Sequence, residues 1–68
     1  METFYVIIKK NKVGEKFILV CVMFLAWELV EGDKVPFGTK RFKNKKEAFK
    51  FGYNVDPKGG FKVERRSI

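Results

Sequence analysis

An unbroken run of eleven apolar residues, 17–27, constrains this 68-residue chain more than any other feature of its sequence. A bilayer-spanning helix needs roughly 20 apolar residues, so the run is too short to cross a membrane. Its β-branched and aromatic side chains favour a strand. Extended to Val30 as one straight strand, it would measure roughly 46 Å at about 3.3 Å per residue, too long for so small a domain. We therefore predict a bend near residues 24–26, with the first half pairing with the preceding strand and the second half with the following one.

The remaining patterns predict a single α+β domain over residues 1–68, with a small antiparallel sheet in the order β-β-β-α-β. Apolar and β-branched segments predict strands at residues 3–10, 17–30, 35–42 and 61–66. Turn residues separate them at 11–14, 31–34 and 56–59. Asn44 and Glu47 form a pair like a capping box, which predicts one short helix from Lys45 to about Tyr53, closed by Gly52 or Asn54. We expect this helix to pack on one face of the sheet.

The predicted sheet is apolar on both faces, and a single short helix can cover only part of one face. Large exposed apolar surfaces usually mark interfaces. We therefore expect the second face to meet a partner, either another copy of this chain in a homodimer or a target protein. The alternative is that the sheet curls into a barrel-like closure and buries both faces within one chain.

The residue types needed for catalysis and metal binding are scarce. The chain has no histidine, and Cys21 is its only cysteine, so neither a soft-ligand metal cluster nor an internal disulfide is expected. Cys21 lies within the apolar run, which predicts a buried thiol in a reducing compartment. We therefore expect a non-enzymatic cytoplasmic protein with no cofactor, no metal and no membrane association.

The positive charge is concentrated in the second half of the chain. Residues 1–35 contain five lysines and five acids, whereas residues 36–68 contain ten basic residues and three acids and carry the whole excess of +7. Such asymmetry is typical of a chain that meets a polyanion or an acidic protein surface.

Many of these basic residues surround the predicted start of the helix, and others lie on the last strand. A helix N-terminus flanked by lysines is suited to receive a phosphate. We predict contact with the phosphate backbone of DNA or RNA through nine residues: Lys40, Arg41, Lys43, Lys45, Lys46, Lys50, Lys62, Arg65 and Arg66. Phe37 and Tyr53, which lie beside turns, are the candidates for stacking on bases. Lysines outnumber arginines twelve to three, which favours contacts with phosphates over reading of base edges.

Two other interpretations of the basic half remain open. It could dock on an acidic protein surface, as in an interaction or inhibitor module that self-associates through its apolar sheet. Alternatively, the lysines could simply solvate a very apolar small domain, since charge is informative about partners rather than about fold.

Residues 42–49, Phe-Lys-Asn-Lys-Lys-Glu-Ala-Phe, resemble the Phe-x-Thr-Lys-Lys-Glu-Ala start of the helix in arm-type DNA-binding domains of phage integrases. Those domains are three-stranded antiparallel sheets followed by a helix. The resemblance covers about a dozen residues closely. It implies DNA binding through the sheet. Our leading hypothesis from the sequence is a small protein that binds the phosphate backbone, of the accessory kind found on phages or mobile elements.

The resemblance assigns no DNA-contacting residue, because the matched positions Phe42, Asn44, Glu47 and Ala48 are structural in that family. Two differences stand beside it. The family's DNA-facing sheet surface is polar, whereas the run at residues 17–27 is apolar, and here a further strand follows the helix.

Overall fold

The computed structural model describes residues 2–67 and shows a four-stranded antiparallel sheet with one helix. The elements are β1 (Thr3–Lys10), β2 (Lys16–Cys21), β3 (Leu25–Leu29), α1 (Lys45–Val55) and β4 (Lys62–Ser67). The strands lie in the order β3-β2-β1-β4. The predicted α+β fold with the order β-β-β-α-β is confirmed.

The apolar run folds back on itself as a hairpin of β2 and β3. The pairing extends from Phe17 opposite Leu29 to Cys21 opposite Leu25, and the chain reverses at residues 22–24. The predicted bend is thus a full reversal, slightly earlier than expected, and the second half of the run pairs with the first half. Each half is long enough for one strand of ordinary length, so the two halves of the run form backbone hydrogen bonds with each other.

The prediction of a third strand at residues 35–42 is wrong. Only two isolated bridges occur there, from Thr39 to Val20 and from Phe42 to Tyr5. Pro36 has no backbone N–H to donate, and Gly38 adopts a positive φ of 88°. Both features interrupt a regular ladder, so this segment connects elements instead of forming one.

Residues 38–42, which we call the crossing segment, lie between β1 and β2. The two strands pair directly only from Ile8 opposite Ile18 to Lys10 opposite Lys16, and beyond this they diverge. On the β2 side of the gap, the Cys21 N–H donates to the Gly38 carbonyl at 2.7 Å, and the Lys40 N–H donates to the Leu19 carbonyl at 3.0 Å.

On the β1 side of the same gap, Tyr5 and Phe42 exchange backbone hydrogen bonds, each of 2.9 Å. The crossing segment is therefore bonded to both of the diverging strands. It carries the chain from one side of the sheet to the other, because Val35 packs on one side and Phe42 on the opposite side.

Both sides of the sheet are covered by this chain. On the helix side, the buried residues are Ile7, Leu19, Phe42, Ala48 and Phe61. On the opposite side, which we call the loop side, they are Phe4, Val6, Ile8, Ile18, Val20 and Val30, with Val35 packed against them. The loop at residues 30–37 therefore covers the loop side as α1 covers the helix side.

The central strand β1 is consequently buried on both faces within one chain. Val6 on the loop side and Ile7 on the helix side are 0% and 1% exposed. The expectation that the second face of the sheet needs a partner is therefore wrong for β1. The second face is closed by a loop laid across the sheet, whereas the alternative to a partner considered from the sequence was a curled sheet.

Cys21 is exposed, so the prediction of a buried thiol is wrong. It is the last residue of β2, beside the reversal, and faces the helix side with its neighbour Leu19. The helix packs against β1 and β4, so it leaves this end of β2 open.

A group of charged side chains fastens the loop to the loop side of the sheet. The Lys16 Nζ donates to the Gly32 carbonyl at 2.9 Å, and Arg66 forms an ion pair with Asp33 at 3.6 Å. Glu64 lies between the two cations, 2.6 Å from Arg66 and 3.6 Å from Lys16. Burial raises the pKa of Glu64. The hydrogen bond from Arg66 and the charges of Lys16 and Arg66 lower this pKa by more than burial raises it, so the net pKa lies below the ordinary 4.5.

We predict that Glu64→Gln makes the stability of the domain less sensitive to acid. A carboxyl whose pKa is lowered by folding stabilises the native state above its unfolded pKa, and this contribution disappears as the pH falls through the lowered value. The variant should be less stable than the parent at neutral pH, and should lose less stability below pH 4.5. Urea unfolding across this range measures the difference, with Glu31→Gln as an exposed control. If the stability of Glu64→Gln fell with acid as steeply as that of the parent, the lowered pKa could not be assigned to Glu64.

The helix begins where the sequence predicts and ends two residues later than expected, at Val55. The Asn44 side chain accepts the Glu47 N–H at 2.9 Å, which confirms the predicted N-cap. Gly52 is buried within α1 and does not end it. A Cβ at Gly52 would overlap Cε2 and Cζ of the Phe61 ring and lie 2.9 Å from its Cδ2, so glycine is required here for packing.

The turn predicted at residues 56–59 is confirmed and returns the chain to the sheet. The Gly59 N–H donates to the Asp56 carbonyl at 2.9 Å. The Asp56 carboxylate accepts the N–H groups of Lys58 at 3.2 Å and Gly60 at 3.0 Å. This turn leads to Phe61, which packs beneath the helix.

We predict that Gly52→Ala destabilises the domain, although alanine is the better helix former by about 1 kcal/mol. The new methyl group must displace the Phe61 ring, and overpacking of this kind costs about 1–3 kcal/mol. Chemical denaturation measures the change. Asn54→Ala, at an exposed position of the same helix, is the control and should be neutral or stabilising. A Gly52→Ala chain as stable as the parent would show that Phe61 can move aside.

Candidate anion-binding groove

The crossing segment and the outer face of α1 enclose an open groove of about 430 Å³. The crossing segment forms one wall, and helix positions one turn apart form the other. We call this the basic groove, and it is lined by Lys40, Arg41, Phe42, Lys43, Glu47, Lys50, Phe51 and Asn54.

The floor of the basic groove is aromatic. Phe42 is buried and Phe51 is half-buried, with their ring centroids 5.3 Å apart. The Lys40 Nζ lies 5.8 Å from the centroid of Phe42 and 5.4 Å from that of Phe51. A cation over aromatic faces is held by the ring quadrupoles without losing its charge. The two rings therefore position Lys40 while leaving it positive.

The walls of the groove are positively charged. Lys40, Arg41, Lys43 and Lys50 face a single carboxylate, that of Glu47, which leaves a formal excess of three positive charges. Within residues 2–67, none of these four cations forms an ion pair. Like charges gathered in a cleft raise the local potential and attract anions.

Arg41 is exposed at the rim of the groove, and its guanidinium carbon lies 4.5 Å from the centroid of the Phe4 ring. Phe4 belongs to the loop-side cluster, so Arg41 reaches back over the edge of the gap that the crossing segment fills. The stacking restrains the guanidinium plane while its N–H groups stay available to an anion.

The predicted helix residues Lys45 and Lys46 lie outside the lining of the groove. Lys46 lies one turn before Lys50 on the same exposed side of α1, so it extends the positive wall. Lys45 lies about 140° around the helix from Lys50, on a different flank. The groove thus unites four of the nine predicted residues, with Lys46 beside them.

The three predicted residues of β4 are divided between the two sides of the sheet. Arg65 pairs with Tyr5 and lies on the helix side, whereas Lys62 and Arg66 alternate with it and lie on the loop side. The Arg66 side chain is only 9% exposed and is paired with Glu64 and Asp33. Arg66 binds the loop through Asp33 and is not available to an external anion in this structure.

Neither predicted stacking residue lines the groove. Phe37 is 92% exposed. It precedes the crossing segment, and the carbonyl of its neighbour Gly38 accepts the N–H of Cys21 beside the β2–β3 reversal. Tyr53 packs edge-on against Phe61, with ring centroids 5.1 Å apart. The aromatic residues that line the groove are Phe42 and Phe51, and neither was among the two predicted stacking residues. The position of Phe51, on the border between the apolar and charged faces of the helix, is the signal that could have identified it.

The start of the helix is capped by a side chain of this chain, that of Asn44. Because the Asn44 side chain accepts the Glu47 N–H, this donor is already satisfied. One of the N–H groups expected to receive an anion at the start of the helix is therefore already used, and the basic groove lies along the side of the helix.

Comparisons with protein-family models, with curated proteins and with solved structures find no match. The resemblance of residues 42–49 to integrase arm-type domains therefore stays a prediction. Within residues 2–67, no group of three or more histidine, cysteine, aspartate or glutamate residues could hold a metal ion. No helix in the same part of the chain is long and apolar enough to cross a membrane.

We predict that Asn44→Ala destabilises the domain by about 1 kcal/mol, because the N-cap is removed. Asn44→Asp should retain the stability, because aspartate caps equally well and its charge suits a helix N-terminus. Thermal or urea unfolding of both variants tests this. Equal destabilisation in the two chains would mean that the amide has some role other than the cap.

Proposed function

We propose that this protein is a non-enzymatic nucleic-acid-binding domain that contacts the phosphate backbone through the basic groove. The supporting observation is that four cations without ion-pair partners within residues 2–67 line one concave surface over an aromatic floor. The ion pairs of the described chain lie around Glu64 on the loop side and involve none of these four cations.

The chemistry of the groove matches a nucleic-acid strand. Phosphates carry the charge that lysines and arginines neutralise, and the counterions released on binding supply most of the non-specific affinity. The face of Phe51, half-buried in the floor, can contact a sugar or an unstacked base, which adds affinity with little sequence preference. Three of the four cations are lysines, which recognise phosphate as point charges.

Salt dependence tests the proposal directly. Fluorescence anisotropy with a labelled generic DNA duplex and with single-stranded RNA should show binding at low ionic strength. The logarithm of the association constant should fall linearly with the logarithm of the salt concentration. Absence of binding to both probes at low salt would overturn the proposal.

We predict that Lys43→Glu combined with Lys50→Glu weakens binding by about tenfold or more. The salt slope should also fall by about 1 for each phosphate that the variant no longer neutralises. The matched control is Lys12→Glu combined with Lys34→Glu. All four lysines are exposed, and each pair of substitutions lowers the net charge of +7 by four units. Because Lys12 and Lys34 lie outside the groove, the control should retain most of the affinity.

Circular dichroism should show that both double variants remain folded. An equal decrease of affinity in the two chains would mean that overall charge, and not the groove, attracts the nucleic acid. A groove variant that binds as well as the parent would exclude the groove as the site.

A protein-interaction role is the second candidate, and it is favoured by a different observation. Four exposed apolar side chains lie at the end of the sheet where the crossing segment enters: Val22, Met23, Phe24 and Phe37. Exposed apolar groups gathered in this way are typical of protein interfaces. An acidic protein with an apolar centre would suit them together with the nearby cations. Failure to bind nucleic acid at low salt would favour this role.

A further inference from the structure

The two edges of the sheet are protected to very different extents. On the β4 edge, four of the six residues in Lys-Val-Glu-Arg-Arg-Ser are charged, whereas the β3 edge, Leu-Ala-Trp-Glu-Leu, has a single charge at Glu28. Natural proteins use charged residues, prolines and bulges to keep edge strands from pairing with other chains. The β4 edge has this protection and the β3 edge lacks it.

The backbone of β3 is open along its outer side. The Val30 N–H donates to the Lys16 carbonyl at 2.9 Å, so Glu28 and Ala26, at alternate positions, also direct their backbone groups towards β2. Leu25, Trp27 and Leu29 therefore direct theirs away from the sheet. Outside the strand ladders, no backbone hydrogen bond in the described chain involves these three residues.

The side chains of the same three residues form an apolar strip on the helix side. Trp27 is half-buried in the helix-side cluster, with the Lys9 Nζ 4.6 Å from its ring centroid. Leu25 and Leu29 are 43% and 56% exposed, because α1 packs on β1 and β4 and leaves β3 uncovered. An open backbone and an uncovered apolar strip thus coincide on one strand.

We propose that β3 pairs antiparallel with β3 of a second copy of this chain, around a two-fold axis at Trp27. In this register Leu25 faces Leu29 of the other copy, and the two tryptophans face each other. The residues that direct their backbone groups outwards then oppose one another and can exchange hydrogen bonds. The pairing joins two four-stranded sheets into one, with both helices on the same side.

This register also avoids the one repulsion that the strand could create. Glu28 faces Ala26 of the other copy, so the two carboxylates are not directly opposite each other. A two-fold interface requires a surface that is complementary to itself. The sequence Leu-Ala-Trp-Glu-Leu satisfies this when it is centred on Trp27.

The ends of the pairing favour a second copy over an unrelated strand. Continued by one residue, the register sets the exposed Phe24 opposite Val30 of the other copy. Beside Val30 lies a recess of about 600 Å³ lined by Leu29, Val30, Glu31, Lys34, Val35 and Pro36. The chain thus supplies both an exposed aromatic ring and a largely apolar recess that can receive it. Because of the two-fold axis, this contact occurs twice in the dimer, once at each end of the paired strands.

The oligomeric state of the full chain tests the pairing, whether or not the protein binds nucleic acid. Sedimentation equilibrium should give twice the 8.0 kDa monomer mass as the concentration rises. Leu25→Lys combined with Leu29→Lys should give a monomer, because the lysines would face each other across the axis. Val13→Lys combined with Asn54→Lys adds the same two charges at exposed residues remote from β3, and should leave the dimer intact.

Disulfide trapping tests the register itself, in a Cys21→Ser background. Opposing residues of a hydrogen-bonded antiparallel pair have Cα atoms about 5.5 Å apart, within the range of a disulfide. Leu25→Cys combined with Leu29→Cys should therefore form a covalent dimer on oxidation. Either substitution alone should not, because each cysteine would face a leucine.

Three results would overturn the proposal. The first is a parent chain that stays monomeric at millimolar concentration, including one that binds a strand of a different protein. The second is a Leu25→Lys, Leu29→Lys chain that is folded and assembles as the parent does. The third is trapping by the single cysteine variants but not by the double variant, which would show a different register.

Discussion

The backbone hydrogen bonds of the crossing segment determine the architecture of this domain. They join residues 38–42 to β2 at Leu19 and Cys21 and to β1 at Tyr5. Each such bond contributes only about 1 kcal/mol net. Without them, however, the diverging strands would leave buried backbone groups unpaired, at a cost of about 1–3 kcal/mol for each group. Because the chain passes through the sheet at this segment, the loop lies on one side and the helix on the other. The same passage places the cations of the groove beside the helix.

Local signals in the sequence predicted the parts of the fold that depend on local interactions. Asn44 and Glu47 marked the start of the helix, and Asp56 marked the turn before β4, because each acts on backbone groups a few residues away. The length of the apolar run predicted a bend, but not that the bend is a complete reversal or that it lies at residues 22–24. These residues, Val-Met-Phe, include no glycine, proline, asparagine or aspartate, so no turn chemistry identifies them.

The sequence was enough to predict that the candidate site is positively charged, but not which residues come together to form its surface. The cluster from Lys40 to Lys50 is visible in the sequence, and the basic groove draws four of its members together. Their grouping with Phe42 and Phe51 depends on the long-range bonds of the crossing segment. Arg66 could not be separated from the cluster in advance, because its partner Asp33 belongs to a distant loop that reaches it only in the folded chain.

The passage of residues 38–42 between β1 and β2 also bears on the order in which the chain can fold. β1 and β2 are neighbours in sequence and could form a regular hairpin early, which is the fast route for local contacts. A hairpin that closed along its full length would occupy the gap, and it would have to reopen before the middle of the chain could enter. The native sheet therefore cannot be completed strand by strand as the chain emerges. Its final closure waits for a segment encoded after both strands.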